Sequence, residues 1–353
     1  MVMTVDYTLV ANGERMHPGE PTGVATLTSV MTQLDQEVTQ GNQARFTTLA
    51  TGLQPLDDVL NGGLRRGELL ILGGAAGVGK TILALQIARN VVVEQPDAAV
   101  LYACYEHDPS HLLTRLLCLE SAEQGAGEEA LTLRTLTSLT ANAGAQGGLL
   151  AKLRTLPRYA PAVAKMTQYS DRLLLVKAHG SSATLAQIEK WAKPMVNSTP
   201  HGLLVVDYVQ KVAVPHKGAQ HEAELSTEVV QGLKELALST GLRIIAIAAA
   251  DRAGLQSPRV RFTDLRGSSA LQYEADIGLM LNNKYAIVSR EHLVYNVMQA
   301  EAMRQWVVLS VEKNRAGRAA VDLEYQLDAA HFRLLRNGGY VRERLVDDKM
   351  TLA

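Results

Sequence analysis

The chemistry this chain could do starts at Gly74-Ala75-Ala76-Gly77-Val78-Gly79-Lys80-Thr81, which fits the pattern G-x-x-x-x-G-K-[ST] in full. Glycines at these positions let the backbone wrap an anion closely, so that N–H groups and a helix N-terminus face phosphate oxygens. A lysine there reaches the outer phosphates, and a threonine hydroxyl ligates Mg²⁺. The setting agrees: the apolar run Leu69 to Leu72 reads as a buried strand, and Ile82 to Asn90 as the helix that follows. The stretch predicts a binding site for a nucleoside triphosphate with its metal.

Hydrolysing such a ligand also needs a metal-side carboxylate, a group that orients water, and positive charge at the transition state. Asp207 ends the apolar run Leu203 to Val206, and Glu106 ends the run Val100 to Tyr105. In a parallel sheet both carboxylates come out at the carboxyl edge, beside the phosphate loop, where open α/β sheets bind ligands. Asp207 is the expected metal-side carboxylate and Glu106 the candidate general base. Taken alone, a glutamate at a strand end is more often a solvated loop residue.

Elements that would hold these residues follow in chain order. Residues 1–23 are rich in Gly and Pro and read as a mobile tail. Val24, Leu27, Met31, Leu34 and Val38 fall on one helix face, so 24–45 reads as a linker helix. Its stripe could cover this subunit's core or a neighbour's. From 46 to 336, buried strands near Leu69, Val100, Leu173, Leu203, Ile244 and Ile277 alternate with helical stretches such as Glu222 to Thr240. This is the pattern of a mostly parallel sheet covered by helices on both faces. Trp306 to Val311, the alternation Val321, Leu323, Tyr325, Leu327, and His331 to Leu334 predict antiparallel strands at the sheet edge. Residues 337–353 read as a polar tail.

Composition narrows the class. With 47% hydrophobic and 20% charged residues the chain is an ordinary soluble globular one, and no apolar run approaches a membrane span. A formal net charge of −1 advertises no DNA-coating surface, so any nucleic-acid contact must come from a local cluster. The two cysteines, Cys104 and Cys118, lie among apolar residues and read as reduced core side chains of a cytoplasmic protein.

The order of these motifs resembles a family. Glu106, then Asp207-Tyr208-Val209-Gln210, Asp264-Leu265-Arg266, Glu274-Ala275-Asp276 and Lys313-Asn314-Arg315-Ala316-Gly317 look like the C-terminal ATPase domain of DnaB-type replicative helicases. Those are RecA-fold, P-loop motors that assemble as hexameric rings. The opening Gly62-Gly63-Leu64 is also similar to KaiC- and RadA-type members of the superfamily. The resemblance implies an ATP- and Mg²⁺-dependent helicase or translocase on single-stranded DNA, with a replication or loader protein as a further partner. It makes Glu106 the catalytic glutamate, and Arg315 the arginine finger that reaches the triphosphate of the adjacent subunit, accompanied by Lys313. Arg266 falls in the region of the DNA-contacting channel loop. Arg252, Arg259 and Arg261 concentrate charge beside it, and Lys211 and Lys217 border a second candidate loop.

Three departures bear on this expectation. Ala249 stands where the family has a glutamine that senses the γ-phosphate, and alanine cannot hydrogen-bond a phosphate. Gly267-Ser268-Ser269 replaces an acidic residue and a glycine. Only about 45 residues precede the ATPase region, against a substantial N-terminal domain in the family. The missing glutamine, the short N-terminal stretch and the absence of net positive charge favour the rival reading, an ATP-switched, KaiC- or RadA-like regulatory or assembly protein.

Overall fold

The computed structural model describes residues 25–346, apart from 42, 44–45, 142–143, 145–146, 180–181, 216–221, 252–253 and 290–296. Contacts divide the chain into two units, Met1–Phe46 and Thr47–Ala353. In the first, helix α1 (Leu27–Thr39) is capped by Thr26, whose hydroxyl accepts from the Ser29 N–H at 3.1 Å. Leu27, Met31, Leu34 and Val38 lie along it as the spacing predicts, and all are exposed.

The second unit is built on one sheet. After the short helix α2 (Leu56–Val59) come β1 (Leu69–Gly74), α3 (Lys80–Glu94), β2 (Ala99–Cys104) and α4 (Pro109–Glu123). Three helices, α5 (Leu133–Ala141), α6 (Leu149–Thr155) and α7 (Ala160–Tyr169), lead to β3 (Leu173–Lys177) and α8 (Leu185–Ser198). Then follow β4 (Gly202–Asp207), α9 (Glu222–Thr240), β5 (Arg243–Ile247), α10 (Ser268–Glu274), β6 (Ile277–Asn283) and α11 (Lys284–Ile287). The strands β7 (Trp306–Asn314), β8 (Val321–Asp328), β9 (Arg333–Leu334) and β10 (Gly339–Tyr340) close the chain.

Strands run in the order β10-β8-β7-β6-β1-β5-β4-β2-β3, with β9 on β8. β3, β2, β4, β5, β1 and β6 are mutually parallel, and β7 to β10 pair antiparallel at one side. The parallel strands are apolar at consecutive positions because both faces are covered. On β1, Leu70 and Leu72 pack with Leu83, Ile87 and Val91 of α3, while Leu69 and Ile71 pack with Val229 and Leu233 of α9. The described residues of the region 120–170 fold as helices around Leu117, Leu131, Leu136 and Leu153.

The expected C-terminal tail is shorter than the sequence suggested. Gly339 and Tyr340 pair with Glu324 and Leu323 of β8, and Leu345 is buried against Ile287 and Val288. The apolar side chains of this stretch, Val341, Leu345 and Val346 among them, are scattered between charged residues and gave no periodicity to read. Cys104 and Cys118 are free and buried, as expected.

Candidate nucleotide site and arginine seat

Parallel register brings the chemistry to one edge. Cys104 of β2 lies opposite Asp207 of β4, so Glu106, two residues past Cys104, emerges beside Asp207. β1 ends there too, and the chain turns through the phosphate loop into α3. That turn demands glycine twice. Gly74 has φ 143° with the Leu281 carbonyl where a side chain would go, and Gly79, the N-cap of α3, has φ 109°.

A cavity of about 420 Å³ opens at this edge, lined by Gly77, Lys80, Thr81, Glu106, Asp207 and Ala249 among others. Lys80 Nζ donates to the carbonyls of Gly74 (2.8 Å) and Ala75 (2.7 Å). Burial lowers its pKa, against the opposing pull of Asp207 and Glu106. Thr81 Oγ1 donates to Asp207 Oδ2 at 2.9 Å, and the Tyr102 hydroxyl donates to the same oxygen at 2.9 Å. Asp207 is 1% exposed, and burial raises its pKa although both hydroxyls favour the carboxylate.

These oxygens suit a hard cation that phosphates help to hold. Among the described residues no three His, Cys, Asp or Glu side chains come together to hold an ion. A hydroxyl next to a single carboxylate suits Mg²⁺, which keeps several waters and takes its remaining oxygens from phosphates.

The structure also shows what the sequence did not. Arg115 of α4 lines the cavity, lies 5.3 Å from the Phe332 ring centroid, and contacts His107 Nε2 at 3.2 Å. Gln210 occupies the space next to Ala249. Its Oε1 accepts from the Ala249 N–H at 3.2 Å, and its Nε2 donates to the Arg266 carbonyl at 3.3 Å. One amide thus ties the segment after Asp207 to the end of β5 and to the Arg266 loop. Contacts spanning 39 and 56 residues leave no local pattern to read.

The basic residues separate. Lys313 and Arg315 are absent from the cavity lining. Arg315 Nη1 pairs with Asp276 at 3.3 Å, and Asp276 in turn accepts from the Leu69 N–H at 2.8 Å, at the first residue of β1. The phosphate loop leaves the other end of β1, about 16 Å away at the rise of a strand. Arg315 is therefore held at the opposite edge of the sheet from its own cavity.

Of the residues expected to meet DNA, Arg252 and Lys217 lie outside the described residues. Arg266 is half-buried and Lys211 exposed, on loops that Gln210 joins. Arg261 reaches Glu312 at 3.3 Å. Arg259 is a correction. It is 1% exposed, its guanidinium donates to Ser310 Oγ at 3.0 Å and pairs with Asp322, so it belongs to the core. Arg259→Ala is expected to cost about 3 kcal/mol of stability by stranding that carboxylate, without a change specific to nucleic-acid binding. Arg266→Ala should do the reverse. Denaturant melts and a single-strand binding titration separate the two.

A parallel sheet carrying a phosphate loop, a strand-end carboxylate on the threonine hydroxyl, and an antiparallel flank defines a RecA-like P-loop nucleotide-binding domain. The likeness to solved structures agrees. One solved ATPase domain superposes with TM-score 0.68 at 16% identity, covering 89% of this chain and 99% of that one. A DnaB-like replicative helicase, solved to show its interactions with primase, gives 0.64 at 16%, covering 89% and 67%. The family model for the DnaB-like helicase C terminal domain matches residues 48–334, and the chain belongs to that family. Its relatives include the replicative DNA helicase DnaB of Rickettsia bellii, 27% identical over 75% of this chain and 51% of that protein. That of Geobacillus stearothermophilus is 23% identical over 77% and 55%. The chain thus spans about half the length of these relatives.

Proposed function

We propose that this chain is an ATP-hydrolysing motor that moves along single-stranded DNA as a ring of like subunits, a hexamer by family resemblance, with ATP at the subunit interfaces. The observation that carries it is the division of the chemistry between two edges of one sheet. Lys80, Thr81, Glu106 and Asp207 surround one cavity, while Arg315 is anchored about the length of a strand away. A subunit built this way supplies most of a hydrolytic site, Arg115 included, and takes Arg315 from a neighbour.

The roles follow. Backbone N–H groups of Gly77 to Thr81 hold the phosphates, and Lys80 leaves its loop carbonyls to meet them. Thr81 and Asp207 would hold Mg²⁺, whose bound charge offsets that of the triphosphate. Glu106 orients the attacking water and accepts its proton. Arg315 of an adjacent subunit, with Lys313, stabilises the charge that builds on the transferring phosphoryl group. Arg266, Arg261 and Lys211 contact the DNA backbone without reading bases. The apolar stripe of α1 docks on a neighbour, which favours assembly. A loader or primase-like protein is the expected further partner.

Gln210 bears on the rival, the ATP-switched assembly protein favoured by Ala249. By joining Ala249 to the Arg266 loop, it offers another physical tie between nucleotide and DNA contacts. The test is strand separation on a forked duplex. ATP-dependent displacement that a non-hydrolysable analogue does not support is the expected result. Nucleotide-dependent assembly with no displacement and no movement on single strands favours the rival.

A further inference from the structure

Lys313 and Arg315 share a seat. Arg315 Nη2 donates to the Tyr273 carbonyl at 2.6 Å, and Lys313 Nζ donates to the carbonyls of Gln272 and Tyr273. These carbonyls close α10, where a helix leaves acceptors without intrahelical partners and its dipole favours cations. Asp276 completes the seat from the start of β6. One carboxylate oxygen accepts from Lys234 Nζ at 2.7 Å and the Leu69 N–H at 2.8 Å, and the other faces Arg315 Nη1 at 3.3 Å. The Arg315 N–H also donates to the Asp276 carbonyl at 2.9 Å. The Asp276 side chain is only 10% exposed, whereas that of Arg315 is 51% exposed.

The asymmetry is informative. Donors from β1 and α9 fix the carboxylate independently of Arg315. As an ion pair with a half-exposed guanidinium, the Arg315 contact adds little to stability. What it does is aim. It holds a flexible side chain at a defined place on a surface edge, with the Tyr273 carbonyl fixing a second N–H.

We propose that Asp276 is the positioning residue for Arg315, setting the guanidinium where an adjacent subunit's triphosphate can meet it. The inference rests on the reading of Arg315 as the arginine supplied across the interface. Asp276 touches no nucleotide and acts only through Arg315.

The test is steady-state ATP hydrolysis by the full chain. Asp276→Asn should lower kcat roughly ten- to a hundredfold, the scale on which a misplacement of about 1 Å acts, with KM for ATP unchanged. Lys234→Gln removes the other cation from the same carboxylate. Because the Leu69 N–H still holds the carboxylate, kcat should stay near wild type, whereas a merely structural bridge would suffer equally from either change. Should Asp276→Asn fail to fold, Asp276→Glu keeps the charge that Lys234 needs, displaces the carboxylate, and should lower kcat at unchanged KM. Mixing Asp276→Asn with Lys80→Ala subunits should restore turnover, since the latter bring an intact seat to the former's cavity.

A parallel mixture of Arg315→Ala with Lys80→Ala separates the two ways of failing. No recovery there overturns the reading of Arg315, and this inference with it. Recovery there, with wild-type kcat in the folded Asp276 variants, overturns this inference alone.

Discussion

Lys80→Ala is expected to lower ATP turnover at least roughly a hundredfold, the scale on which removing one preorganised charge donor acts. The expectation comes from what surrounds the ammonium group. Lys80 Nζ sits on the Gly74 and Ala75 carbonyls, in a cavity whose other charged lining includes Glu106 and Asp207. Truncating it leaves two carboxylates facing a polyanion with one fewer cation between them. The side chain is half-buried and spans a loop that glycines already shape, so the fold should survive. Thermal melts check this beside the hydrolysis rate. Wild-type turnover by a folded Lys80→Ala protein would mean that the phosphates do not sit in this loop.

Arg315→Ala should reduce kcat by about three orders of magnitude or more, while isolated subunits bind nucleotide as before. Binding is spared because Arg315 hangs from Asp276, across the sheet from its own cavity. Turnover suffers because Lys313, which shares the seat, is a point charge and cannot replace the forked guanidinium on the transferring phosphoryl group. The measurement pairs nucleotide binding with hydrolysis, then mixes Arg315→Ala with Lys80→Ala subunits. At some interfaces an intact cavity faces an intact arginine, and activity should return there. A variant that loses binding along with turnover, with no recovery on mixing, would place the arginine in its own subunit's site.

The sequence is most legible where chemistry requires contiguous residues. The phosphate loop is a single run from Gly74 to Thr81; Asp207 ends the apolar strand that announces it, and Glu106 follows two residues past the end of its own. The parallel order then carries all of them to one edge without further information. Residues whose roles depend on distant partners stay hidden. Arg259 lies in a stretch that looks like a basic loop, yet its partner Asp322 is 63 residues away on β8. Gln210 stands in the run Asp207-Tyr208-Val209-Gln210 that carries the family resemblance, but the tie it makes depends on the distant Ala249 and Arg266. Element ends show the same limit. By local propensity Pro194 would stop α8, yet the helix runs on to Ser198, with Met195 buried against the sheet. Tertiary burial there outweighs local propensity.

The most direct test of the motor reading is the rate of ATP hydrolysis with and without single-stranded DNA, with Lys80→Ala as the blank. The account predicts strong stimulation by the DNA, since Gln210 joins the segment after Asp207 to the Arg266 loop. A rate indifferent to DNA, or none above the blank, would contradict it.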